Sequence, residues 1–128
     1  RKNLFVNAIR QVTFLSGACL MTLTETFQNL GGFDETFADA GADVDFCLRL
    51  LRRGLACAYT PFAALLMHGS LPRIADASAR TRMRCYDTLR PLFASGDPFF
   101  SPHFDYCSAI PVVCADPKPP LRCHEYEA

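Results

Sequence analysis

The chain has no excess of charge, no long apolar run and no glycine-rich phosphate loop, and each absence removes a class. Its 13 Lys and Arg residues balance 13 Asp and Glu residues. Bulk electrostatics therefore favours neither nucleic acid nor an anionic membrane. No apolar stretch approaches the roughly 20 residues that span a bilayer. Neither GxGxxG nor a P-loop occurs, and a doubly wound nucleotide domain would need such a turn and several βαβ units. There is no internal repeat. The chain opens Arg1-Lys2-Asn3 with neither an initiator Met nor a signal peptide, so a preceding segment is expected.

What is present is globular. Half of the 128 residues are hydrophobic and a fifth are charged, enough for one domain or a piece of one. Seven cysteines make an odd count. Cys19, Cys47 and Cys57 sit in apolar runs, where a thiol serves as a small hydrophobe. That pattern reads as a reducing, cytoplasmic setting without a disulfide framework. Cys114, Cys123 and His124 have the wrong spacing for a zinc knuckle.

Val12–Leu15 and Ala18–Leu23 predict two short strands. Thr22-Leu23-Thr24-Glu25 has the form of a capping box, followed by a short helix that Gly31-Gly32 ends. A loop covers 33–42. From Asp43 to Arg53, Val44, Cys47, Leu48 and Leu51 recur at helical spacing, with Phe46 and Leu50 as a second stripe. Gly54 closes this helix. Ala56–Tyr59 and Ala63–Met67 predict short buried strands broken by Pro61. Asp76–Leu89 predicts a polar, Arg-rich helix ended by Pro91. Beyond Ser95 prolines and isolated aromatics dominate, with Gly96 and no periodicity, and 111–128 are expected to be disordered. The order suits the second half of a layered α/β domain.

The segment GGFDETFADAGADVDFCLRL, residues 31–50, concentrates the chemistry. Asp43-Val44-Asp45 spells DxD, yet on a helix residues two apart point in different directions and chelate one ion poorly. Asp45 is better placed to pair with Arg49 or Arg52. Asp43 suits the helix N-terminus as a cap. Arg73, Arg80, Arg82, Arg84 and Arg90 read as a solvated helix face rather than a nucleic-acid surface, since aromatic interleaving is thin.

SGACLM (16–21), ETFQNLGGFDETF (25–37), DVDFCLRL (43–50), G-x4-YTPFA (54–63) and H-x-S-x2-R (68–73) follow one another in register. Together they resemble the C-terminal half of family 2 glycosyltransferases with the GT-A fold, nearest in pattern to bacterial enzymes of surface polysaccharides such as rhamnose-containing chains. The resemblance implies a partial GT-A α/β fold over residues 1–105 and an irregular tail over 106–128. It implies inverting transfer from a nucleotide-sugar donor to a glycan or glycolipid acceptor hydroxyl, with Asp43 as general base. Ala42 stands where the family often has a second acid. Ser16, Gly17, Ala18, Gly31, Gly32, Phe33 and Asp34 are expected on the acceptor side. Small residues there allow close approach and Phe33 offers a ring face; a helix C-cap, a core anchor and an Asx turn are the plain alternatives. His68 is the metal candidate, although Met67 replaces an adjacent histidine. Ser70 and Arg73 are phosphate candidates, beside an atypical Pro72. The divalent metal, Mg or Mn, is expected mostly in the preceding half. Nucleic acid is not an expected partner; peripheral membrane association is compatible. The competing readings are a truncated, non-catalytic relative and a protein-interaction module built on the Arg-rich helix and tail.

Overall fold

A computed structural model describes residues 7–38, 40–69, 76–104 and 113–117. Two three-residue strands, β1 (Arg10–Val12) and β2 (Cys57–Tyr59), pair antiparallel, with Arg10 opposite Tyr59 and Val12 opposite Cys57. Between them come a 3-10 turn (Gly17–Cys19), α1 (Thr24–Asn29) and α2 (Ala42–Arg52). The helix α3 (Ala79–Ser95) follows. This is a small mixed α/β arrangement.

The core forms where α2 lies against the strand pair. Phe46, Cys47, Leu50 and Cys57 are buried together, with Val12, Leu15, Leu20, Phe27 and Leu30 packed around them. Both stripes read from α2 are used: Phe46 and Leu50 lie in this cluster with Cys47, Leu48 is buried, and Val44 and Leu51 are half-buried. Phe27, Phe33 and Phe46 stack with ring centroids 5.3–5.4 Å apart, which adds about 0.5–1.5 kcal/mol per pair to their area burial.

Gly31 and Gly32 end α1 as the sequence implies. Both have positive φ, and their N–H groups donate to the Gln28 and Phe27 carbonyls at 2.9 Å, the hydrogen-bond pattern of a Schellman turn. Arg49 then locks this turn onto α2. Its Nε pairs with Asp45 at 2.8 Å, and its two terminal nitrogens donate to the Leu30 and Gly32 carbonyls at 2.6 and 2.7 Å.

Several expectations are corrected. Ala18–Leu23 is not a strand: the Ser16 hydroxyl accepts from the Ala18 N–H and starts the 3-10 turn instead. The capping box does not form, because α1 begins at Thr24 with Leu23 as its N-cap and no side-chain cap. Ala63–Met67 is not a buried strand; it has no regular structure and is exposed, with Leu66 at 84%. Among the described residues the sheet has only two strands, so this run has no ladder to join. Pro91 does not end α3. The helix continues to Ser95, and Pro91 and Leu92 line a groove with Leu48 and Leu51 of α2. The proline forgoes its own helix hydrogen bond without ending the helix. Among the described residues near the chain's end, Val113 makes an isolated bridge with Phe104, and the Cys114 N–H donates to the His103 carbonyl. Cys123 and His124 lie outside the described residues. The five described cysteines are free thiols.

Candidate active site

Helix α2 starts at Ala42 with Gly41 as N-cap, in the left-handed region at φ 96°. Asp43 is therefore the second helical residue and not the cap that its type suggests. Its Oδ2 accepts from the Gly17 N–H at 2.7 Å and its Oδ1 from its neighbour's N–H, that of Val44, at 2.9 Å. Two backbone donors thus fix a half-buried carboxylate at the positive end of a helix.

Gly17 owes its identity to this contact. A Cβ there would lie 3.2 Å from the Asp43 Cβ, tighter than ordinary carbon packing allows. The glycine lets the backbone approach the Asp43 side chain closely.

Asp43 opens onto a cavity of about 560 Å³. Its walls come from three places. Phe14 to Ala18 form one, Phe33, Phe37, Ala38, Ala40 and Gly41 form the loop wall, and Ala42 to Val44 form the helix mouth. Most of this surface is apolar, with the carboxylate as its fixed polar group, as small-molecule sites commonly are.

The expected residues divide. Asp43, Ser16, Gly17, Ala18 and Phe33 line the cavity. Gly31, Gly32 and Asp34 do not. The two glycines form the helix-ending turn that delivers Phe33 to the wall. Asp34 makes an Asx turn, its Oδ1 accepting from the Thr36 N–H at 2.9 Å, and its Oδ2 meets Arg84 at 3.1 Å. These hydrogen bonds hold its carboxyl below the usual range, the Thr36 hydroxyl contributing most. His68 is exposed on irregular backbone and is not among the cavity-lining residues. Arg73 and Ser70 lie outside the described residues. Asp45 turns away to Arg49, so the two acids of the DxD spelling diverge as helical geometry requires.

Among the described residues no group of three or more His, Cys, Asp or Glu side chains could hold a metal ion. One exposed imidazole is not a metal site, so these residues do not by themselves fit the divalent ion that the resemblance implies. No helix among the described residues is long and apolar enough to cross a membrane.

Sequence reasoning missed Arg84, grouped there with a solvated arginine face. Its guanidinium pairs with Asp34 and sits 5.2 Å from the centre of the Phe37 ring. Nothing in the local pattern signals a contact across 50 positions.

No protein-family model matches the chain, and no solved structure matches it. Curated proteins do. Over 91 residues, 70% of this chain, it is 40% identical to the O-antigen biosynthesis protein RfbC of Myxococcus xanthus. Over 59 residues, 46% of the chain, it is 41% identical to the N-acetylglucosaminyl-diphospho-decaprenol L-rhamnosyltransferase of Mycobacterium tuberculosis. A pre-mycofactocin glycosyltransferase of the same organism is 35% identical over 69 residues, 54% of the chain. The matched stretches span 7%, 19% and 14% of these relatives' own lengths. The chain is thus a partial-length relative of glycosyltransferases and surface-polysaccharide proteins, in agreement with the motif resemblance to family 2 transferases.

Proposed function

We propose that the chain is the acceptor-side half of an inverting, GT-A-type glycosyltransferase of surface-polysaccharide synthesis, with Asp43 as general base. One observation carries this reading: Asp43 is held by two backbone donors on the wall of a cavity large enough for a sugar, beside an aromatic ring. The exposed apolar run from Phe62 to Met67, next to a sheet of two strands, supports the half-domain reading. It is the kind of surface that further strands of the same domain cover.

An acceptor hydroxyl in this cavity is a poor nucleophile at neutral pH. In a single displacement its oxygen bonds to the anomeric carbon while the bond to the leaving nucleoside diphosphate breaks on the opposite face. The hydroxyl proton passes to the Asp43 carboxylate, and inversion follows without a covalent intermediate. Fixed geometry matters because Asp43 need not search for its orientation at the moment of transfer. The nucleotide-sugar donor and the divalent ion, Mg or Mn, belong in this reading to the remainder of the longer polypeptide. No step above is routed through the ion. The free thiols fit a cytoplasmic setting.

The test is Asp43→Asn in the full-length polypeptide that carries this chain. Turnover should fall about 10²–10⁴-fold, with donor affinity retained. Normal turnover in that variant would remove Asp43 from the mechanism.

A further inference from the structure

We infer that α3 clamps the loop wall of the cavity, with Arg84 and Cys85 as positioning residues that set the acceptor opening and the facing of Asp43. This rests on the reading of Asp43 as the base.

Loop 33–41 supplies one whole wall of the cavity, yet its described residues, 33–38, 40 and 41, form no helix or strand. Among them the loop's own hydrogen bonds are local, the Asx turn at Asp34 and a bond from the Phe37 N–H to the Asp34 carbonyl at 3.1 Å. Such a segment opens readily unless something packs on it. Helix α3 packs on it at both ends. Arg84 takes the near end through the Asp34 carboxylate and the Phe37 ring. Cys85, buried, takes the far end: its thiol approaches the Ala40 carbonyl at 3.8 Å, and Gly41 lies so close that an added Cβ would collide with the sulfur.

Consecutive residues on a helix point about 100° apart, which lets two neighbours reach two ends of one loop. The far end is also the start of α2. Gly41 is its N-cap and Asp43 stands two residues on. A displacement at Cys85 therefore reaches the carboxylate through two peptide units, whereas a displacement at Arg84 reaches Phe37 and the width of the cleft. The first concerns the chemical step and the second concerns admission of the acceptor.

Hydrogen exchange and steady-state kinetics of Arg84→Gln and Arg84→Lys in the full-length polypeptide test this. Arg84→Gln should speed exchange across 34–41 about three- to fivefold and raise the acceptor KM by a similar factor, the scale expected of a half-exposed ion pair with a cation–π contact. Donor KM and kcat should stay put. Arg84→Lys keeps the charge and should recover most of the loss. Unchanged exchange in Arg84→Gln, or an equal rise in both KM values, would overturn the clamp. If the unsubstituted polypeptide transfers no sugar, the proposed function falls, and the exchange rates alone still decide the clamp.

Discussion

Asp34 takes the plainer of the two roles its type offered, an Asx turn. Its two oxygens are engaged by Thr36 and Arg84. Because these contacts favour the ionised form, its folded pKa lies below the ordinary 3.8, the Thr36 hydroxyl being the largest cause. The sign follows. Its contribution to holding the loop is complete above 3.8 and is lost as pH falls through the lower folded value. A carbon-13 titration of the Asp34 carboxyl should give a midpoint below 3.8, with loop exchange rising over the same acid interval; a midpoint at or above 3.8 would refute the assignment. At this scale the place of Asp43 at the mouth of α2 was legible from the apolar spacing that follows it. Arg84 was not, since its partner is 50 positions away. Gly17 was singled out for close approach to a sugar, and its closeness to the Asp43 carboxylate was not legible.

Among the elements, α2 was the most legible, its bounds read to within a residue from apolar spacing and Gly54. It also carries the largest packing stake. Phe46 is fully buried, packs against Phe27 and Phe33, and lies under the Arg49 guanidinium at 5.4 Å. Phe46→Ala should cost about 3–5 kcal/mol, read as a loss of the cooperative thermal transition or a large fall in its midpoint. A shift of a degree or two would mean that the aromatic cluster does not anchor α2. Cys57 faces the same core, and burial, with Cys47 beside it, pushes its thiol up to about 12. That matches the hydrophobe role its apolar surroundings suggest. The strands misread share one physical cause. A short apolar run becomes a strand only if a neighbouring strand accepts its ladder bonds, and Ala63–Met67 gives no local clue that the described sheet stops at two strands. Pro91 was misread because proline commonly ends a helix, whereas α3 runs through it to Ser95.

For the whole molecule, the imbalance between core and surface is informative. Phe62, Leu65, Leu66, Met21 and Leu23 are mostly exposed, while among the described residues the buried hydrophobic side chains number eight. Isolated two-stranded pairings are marginal in water. On the half-domain reading, the chain expressed alone should therefore bind an apolar-surface dye and transfer no sugar, and a longer polypeptide that completes the domain should suppress the dye signal. A dye-silent, active isolated chain would contradict the half-domain reading. One further feature bears on how such a molecule is made. Thr13, buried just past β1, hydrogen-bonds Asp97, just past α3, and the Asp97 carboxylate also receives the Phe99 N–H at 2.9 Å. This junction joins positions 84 apart. During synthesis, then, the strand pair can form as soon as Tyr59 clears the ribosome, but the hydroxyl of Thr13 must wait for a carboxylate made 84 codons later. A stalled nascent chain shorter than that would hold its first half with one polar group still seeking its counterpart.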